Sequence, residues 1–297
     1  MPALEIQPYS EEFRDAAARL LAARHRRQRT AELLLPEIDD FTAHIPAGEG
    51  AVATRGGEVV AYLIGSVRSD RAEVGLAGVA ASEPEAVRDL YAWLARTWPP
   101  RHQALVPASE PELVDVFFRL VHGLQFVLAV RETEPAAPVD FGGTLRPGTP
   151  ADLQAVAEFD RILWTLQAGS PSFSGLDPDA EDYEAEWAGL WDDPLFPLHV
   201  VAERDGQVIG HALLYRRPTG DLRVPGDNVD LAHAATLADV RGSGVGLALA
   251  GHVLSWAHER GFRSITTDWR SVNLLASRFW PRRGWRPTHY RLYRAVP

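Results

Sequence analysis

The sequence predicts an α/β chain folded as two similar halves, and three observations carry that expectation. Residues 228–262 read as a strand, a glycine-rich turn and a helix; several stretches of the first half recur in register in the second; and TEPAAPVDFGG at 133–143, rich in proline and small residues, reads as a linker between the halves. A chain of 297 residues with 46% hydrophobic and 24% charged residues has ordinary globular composition and enough length for two cores.

The repeats place the elements in order. LEIQPYSEEFRDAAARLL at 4–21 parallels GTLRPGTPADLQAVAEFD at 143–160, opening each half with a strand and a helix. VATRGGEVV at 52–60 parallels VAERDGQVI at 201–209, sharing Val, Ala, Arg, Gly and Val in register. Within HVVAERDGQVIGHALLYRR, Asp205-Gly206 marks a hairpin turn. FFRLVHGLQFVLAVRE at 117–132 parallels FWPRRGWRPTHYRLYR at 279–294, closing each half. The cluster RHRRQR at 24–29 reads as the solvated face of an amphipathic helix.

The third observation carries chemistry. NVDLAHAATL at 228–237 reads as a strand, and VGLALAGHVLSWAHERGF at 245–262 as a helix, with Leu247, Ala250, Leu254 and Ala257 at helical spacing and Gly261 placed to stop it. Between them Gly242, Gly244 and Gly246 alternate. A phosphate-binding Walker loop needs a lysine, and the chain has none; a G-x-G-x-x-G dinucleotide fingerprint started at Gly244 meets Leu249 where its third glycine belongs. What remains is anion-binding geometry: unpaired N–H groups and the positive end of a helix dipole aimed at one place, with glycines letting a phosphate approach the backbone.

Composition narrows the classes further. The absence of cysteine removes disulfides, thiolate metal sites and a cysteine nucleophile, and no metal is expected. A net charge of −10 argues against a general nucleic-acid binder. No apolar run reaches a membrane span, and the N-terminal MPALEIQPYSEEF lacks a basic leader or signal core, so no membrane partner and a cytoplasmic location are expected.

Arg241-Gly242-Ser243-Gly244-Val245-Gly246 resembles the R/Q-x-x-G-x-G/A signature of the GCN5-related N-acetyltransferase (GNAT) family, whose loop holds the pyrophosphate of acetyl-coenzyme A. The flanks strengthen the match: the hairpin upstream, and downstream SITTDWRSVNLLASRFWPRRGWRPTHYRLYR, with Asn273, Ala276 and Gly284-Trp285 where the family usually has Gly-Phe. The resemblance covers about residues 143–296 and implies two tandem GNAT-like domains, each a mixed, mostly antiparallel sheet flanked by helices, at 1–134 and 143–297. It implies acetyl-coenzyme A as cosubstrate, contacted by Leu237, Ala238, Arg241, Gly242, Ser243, Gly244, Val245, Gly246, Asn273, Ser277 and Trp280. In the first half, GVAASEPEAVRDLYAWLARTW has no glycine after Gly78 and carries Glu83 and Glu85, which would repel a pyrophosphate. That half is expected to be a degenerate copy that shapes the acceptor cleft.

Acetyl transfer to an amine calls for a base, because an ordinary ammonium is mostly protonated near neutral pH. Asp230, six residues before Thr236, matches the catalytic carboxylate of the lysine-acetylating branch of the family; His233 is its rival, and strand alternation puts the two on opposite faces unless the strand carries the bulge usual for the family. The same strand is expected to offer a backbone N–H to the thioester carbonyl. Many members protonate the departing thiolate with a tyrosine seven residues after the helix asparagine; that position is Trp280, which is no acid. Tyr290 and Tyr293 are alternatives, with aromatic packing as their other reading.

Asp177, Asp179, Glu181, Asp182, Glu184, Glu186, Asp192 and Asp193 crowd one stretch. They read either as a rim attracting a small cationic primary amine or as a solvated helix with Tyr183, Trp187 and Trp191 on its buried face. Two functions remain open: an N-acetyltransferase acting by direct attack in a ternary complex, as monomer or homodimer, and a non-catalytic acyl-coenzyme A sensor, which Trp280 favours.

Overall fold

A computed structural model of the chain describes residues 2–169, 182–218 and 220–295. They form two compact units: Met1–Leu128 with Gly220–Pro225 and Pro287–Pro297, and Ala129–Thr219 with Gly226–Arg286. The first contains β1 (Leu4–Pro8), α1 (Arg14–Ala31), β2 (Glu49–Arg55), β3 (Glu58–Val67), β4 (Arg71–Val74), β5 (Val79–Ala81), α2 (Ala86–Leu94), β6 (Arg101–Pro107) and α3 (Pro111–Arg119). β7 (Gly123–Glu132) begins in the first unit and ends in the second. The second holds β8 (Thr144–Pro147), α4 (Leu153–Ala168), α5 (Tyr183–Ala188), β9 (Leu198–Arg204), β10 (Gln207–Tyr215), β11 (Asn228–Thr236), α6 (Val245–Glu259), β12 (Ser264–Arg270) and α7 (Leu274–Phe279). β13 (Arg286–Ala295) follows.

Each unit is a mixed, mostly antiparallel sheet flanked by helices. In the first, β1–β2, β2–β3, β3–β4 and β3–β5 pair antiparallel and β4–β6 parallel. In the second, β8–β9, β9–β10 and β10–β11 are antiparallel and β11–β12 parallel. The division differs from 1–134 and 143–297: residues 129–142 belong to the second unit, and β13 pairs with β6 from His289↔Pro107 to Ala295↔Arg101, so residues 287–297 complete the first. Leu222 likewise joins Ala17, Leu21, Val52 and Tyr62 in the first unit's core.

The repeated hairpins share one turn geometry. Gly56-Gly57 sit at φ 58° and 83°, and Asp205-Gly206 at φ 51° and 76°. Both central residues of a type I′ turn need positive φ, which Gly and Asp supply at low cost. The segment at 133–143 is no free linker. Thr133 N–H donates to Arg263 O, Ala136 N–H donates to Ser255 Oγ across 2.8 Å, and Phe141 is buried, so the segment is packed along α6.

The reading of 24–29 as wholly solvated is also corrected. Arg26 and Arg27 are exposed, but Arg24, His25 and Gln28 are buried. The Arg24 guanidinium donates to the carbonyls of Val79 and Leu76, backbone acceptors at and just before the short β5. Gln28 Nε2 lies 3.1 Å from His289 Nε2 on β13.

Candidate active site

The site grows from one irregular strand. Leu213 of β10 pairs with His233 and Leu214 with Leu231, which leaves Ala232 as the extra residue of a β-bulge. Tyr215 pairs with Asp230, so the bulge restores His233 and Asp230 to the same face of the sheet, the face that their partners Leu213 and Tyr215 also share. Along its other edge β11 pairs with β12 only from Asn228↔Ser264 to Leu231↔Thr267. The Thr267 hydroxyl stitches the end of that seam to Leu231 O at 3.0 Å. Both strands continue past it without pairing to each other, which leaves the β12-facing backbone of residues 232–236 outside that ladder.

β11 then runs into the glycine turn. Gly242 and Gly244 both adopt left-handed φ, 84° and 95°, a conformation that favours residues without Cβ. Gly244 is the N-cap of α6 with no side-chain cap, and the first helical bond is Ala248 N–H to Gly244 O, so the N–H groups of Val245, Gly246 and Leu247 have no helical acceptor. A Cβ on Gly246 would lie 3.4 Å from the Phe279 ring of α7, an ordinary contact distance, so the third glycine borders α7 without being required by it. At its far end α6 closes as a Schellman motif: Gly261 N–H reaches His258 O, Phe262 N–H reaches Ala257 O, and Gly261 has φ 79°.

The first unit spends the same donors. At the start of α2 the N–H groups of Ala86, Val87 and Arg88 bond to Glu83, Pro84 and Glu85 carbonyls. The side chains of Glu83 and Glu85 are engaged by Arg55 and by Arg119 and Arg88, which hold both carboxylates below their ordinary pKa. No set of free N–H groups is left there for an anion.

A cleft of about 380 Å³ opens between the bulged strand, α4, α6 and α7. Arg241, Gly242, Gly244, Gly246, Asn273 and Trp280 line it; Leu237, Ala238, Ser243, Val245 and Ser277 do not. Leu237 N–H is committed to Ile209 O, Ser243 Oγ to Val240 O and Ser277 Oγ to Ser271 O. Asn273 caps α7, accepting from Ala276 N–H at 3.1 Å. Leu247, exposed, and Ala250, largely buried, both line the cleft, whereas Leu254 and Ala257 are buried away from it. Sequence reading missed Ile162, Leu163 and Leu166 of α4, which form an apolar wall, and Arg283. Among the described lining residues the charged groups are Arg241 and Arg283, a balance suited to phosphate.

The candidate catalytic residues separate clearly. Asp230 is buried; Arg217 Nη2 donates to Oδ2 at 2.8 Å and Thr266 Oγ1 to Oδ1 at 2.5 Å. His233 keeps a third of its side chain exposed and places Nδ1 3.0 Å from Asp160 Oδ1. Burial works against the imidazolium, but the hydrogen bond and charge of Asp160 outweigh it and raise the His233 pKa above its ordinary value. Burial likewise works against the Asp160 carboxylate, yet His233 brings its pKa below the ordinary value. Tyr290 lies in the first unit, packed against its core and paired with Val106. It is not among the groups lining the cleft.

The acidic stretch is partly structural. Asp177, Asp179 and Glu181 lie outside the described residues; Asp182 caps α5 by accepting from Ala185 N–H at 3.0 Å, and Tyr183 and Trp187 are the buried face of α5. Trp280 packs at 4.8 Å from both Phe279 and Trp285 while lining the cleft.

Residues 161–285 match the acetyltransferase (GNAT) family model. The chain carries a GNAT domain. The match takes in α4, the bulged strand, the glycine turn and α7, the elements that build the cleft. The fold continues beyond that domain. A GCN5-related N-acetyltransferase from Sphaerobacter thermophilus is similar over 99% of this chain and 97% of its own, at 16% identity and TM-score 0.58. A GNAT-family acetyltransferase from Colwellia psychrerythraea is similar over 99% and 100%, at 10% identity and TM-score 0.52. A GCN5-related glucosamine N-acetyltransferase region within a fungal multi-domain β-N-acetylglucosaminidase is similar over 99% of this chain and 38% of that one, at 14% identity and TM-score 0.53. No curated protein matches the sequence. No helix of the described residues is long and apolar enough to cross a membrane.

Proposed function

We propose that the GNAT domain transfers an acetyl group from acetyl-coenzyme A to the primary amine of a small acceptor, by direct attack in a ternary complex. The observation that carries this reading is the bulged β11, parted from β12 after Leu231, leading into the uncapped N-terminus of α6. In this reading the N–H groups of Val245, Gly246 and Leu247, with Arg241 and Arg283, receive the pyrophosphate. The pantetheine arm follows the parted edge of β11, where an unpaired N–H faces the thioester carbonyl.

The base is assigned to His233. Asp230 is already fixed by two donors in a buried place, whereas His233 is partly exposed and held through Nδ1, leaving Nε2 for the acceptor. Nε2 takes a proton from the ammonium and the neutral amine attacks the thioester carbon. The tetrahedral intermediate loses the second nitrogen proton to solvent and collapses to the amide with cleavage of the C–S bond. A thiol with pKa near ~8.5 leaves as thiolate and is protonated from solvent, so Trp280 need not be an acid. Glu186 on α5, close enough to favour the charge of His233, supports a cationic acceptor.

The test is acetyl transfer across a panel of amines, followed by thiol release, alongside calorimetric titration with coenzyme A. Transfer to one class of amine with one bound coenzyme A is the expected result. Binding without transfer to any amine would establish the sensor reading, which Trp280 at the usual tyrosine position favours.

A further inference from the structure

Three residues far apart in sequence meet around one imidazole. Asp160, on α4, is 4% exposed and accepts two directed hydrogen bonds. His233 Nδ1 lies 3.0 Å from Oδ1, and Trp187 Nε1, on α5, donates to Oδ2 at 2.6 Å. Trp187 is 1% exposed, and its ring stands edge-on to His233 with centroids 5.6 Å apart. We propose that Asp160, itself clamped by the Trp187 indole, is the positioning residue of His233: it holds the neutral imidazole as the Nδ1–H tautomer and keeps the Nε2 lone pair directed outward. This rests on the assignment of His233 as base.

The chemistry favours that arrangement. A buried carboxylate needs donors, and here both its oxygens are supplied. The indole N–H is a donor only, so it fixes Oδ2 and leaves Oδ1 for the imidazole. A carboxylate accepting from Nδ1–H selects one tautomer and stabilises the imidazolium that forms when Nε2 takes a proton. The other titratable groups acting on His233 are Glu186 on α5 and Asp268 on β12, both of which favour its charge. His199 on β9 and His211 on β10 lie close to Trp187, but burial pushes their pKa values down to about 4 and about 3, so both are neutral near pH 7.

The repeated architecture supplies an independent argument. In the register of the two halves, Leu21 stands where Asp160 stands. Ile64 N–H bonds to Gly78 O where the corresponding Leu213 pairs with His233, so Gly78 takes the histidine's place. The unit whose helix N-terminus has no free donors therefore also lacks both members of the pair. A carboxylate present only to fill a packing role would have no reason to disappear together with the imidazole and the anion loop.

Nitrogen and proton NMR of the imidazoles in the full chain tests this. In the unaltered protein His233 should be the Nδ1–H tautomer when neutral and should titrate above the ordinary histidine pKa of about 6.5. Asp160→Asn, nearly isosteric, should lower the His233 pKa by at least about one unit, and Asp160→Glu should restore part of it. Trp187→Phe should move it the other way, upward, because Asp160 then has one donor fewer to share. Coenzyme A affinity, measured by calorimetry, should be unchanged in all three and reports that the domain is folded. An Nε2–H tautomer in the unaltered protein, or an unshifted His233 in a folded Asp160→Asn, overturns the proposal. A chain that shows the expected tautomer and shifts but transfers acetyl to no amine overturns the function proposed above and leaves the pairing intact.

Discussion

The Arg217 guanidinium donates to the Asp230 carboxylate across 2.8 Å, and Thr266 donates to the opposite oxygen across 2.5 Å. Asp230 therefore ties the start of β11 to β12 and to the segment after β10. Asp230→Ala should destabilise the folded chain by about 1–3 kcal/mol, because Arg217 and Thr266 lose a buried acceptor. Asp230→Asn should keep turnover within about threefold per folded molecule. Chemical denaturation and steady-state kinetics on the same samples check both, and a hundredfold loss of turnover in folded Asp230→Asn would return the base to that carboxylate.

His233→Gln should lower turnover by roughly 10²- to 10⁴-fold and leave coenzyme A affinity unchanged. Only the neutral imidazole can accept the proton, and its pKa is raised, so transfer should increase with pH through a value above about 6.5. The ion pair with Asp160 has the opposite effect on stability. Its contribution is full below the unfolded pKa and is lost as pH rises through the higher folded one. Activity and pair stability should thus run in opposite directions across that window.

Coenzyme A should bind once per chain, in the second unit. Gly244→Glu should abolish binding, since a side chain at φ 95° is strained and its charge opposes the pyrophosphate. Gly242 has open space around its missing Cβ but φ 84°, so Gly242→Ala should cost about 1–2 kcal/mol of stability while keeping one site. Calorimetry reads the stoichiometry. Two equivalent sites would mean that the salt-bridged start of α2 also binds.

Acid should weaken the fold well before carboxylates titrate. Burial pushes His211 to about 3, and His199 and His122 to about 4. These groups bind protons in the unfolded chain first, so stability should fall from about pH 6.5 downward. His211→Phe, which keeps an aromatic ring beside Phe159, should flatten that decline in a melting-temperature series. An unchanged slope would assign acid sensitivity to other groups.

What could be read from sequence was local. The ends of α6 were legible because Gly244 and Gly261 are needed there for backbone reasons, and the Asp205-Gly206 hairpin turn because only a few residues tolerate positive φ in succession. Ala232 gave no sign of the bulge, since an alanine fits anywhere in a strand; only its partners Leu213 and Leu214 reveal it. Asp160 sits 73 residues from His233 and 27 from Trp187, with no spacing rule to connect them. Arg24 looked like one arginine among four in a basic run, and its burial is set by carbonyls of Leu76 and Val79 more than fifty residues later.

β13 has a consequence for how the molecule is made. The strand that completes the first unit is synthesised after the whole of the second. Until it emerges, β6 presents an open edge, the kind of template that recruits another chain's strand. The first unit must therefore wait, half-closed, through the translation of residues 129–286, more than half of the chain. Cutting the chain between residues 134 and 143 would not yield two independent domains either: one fragment would lack a strand and the other would carry it without its partner. The halves that the sequence suggests are therefore not the units that close their sheets, because residues 287–297 at the end of the second half belong to the first unit.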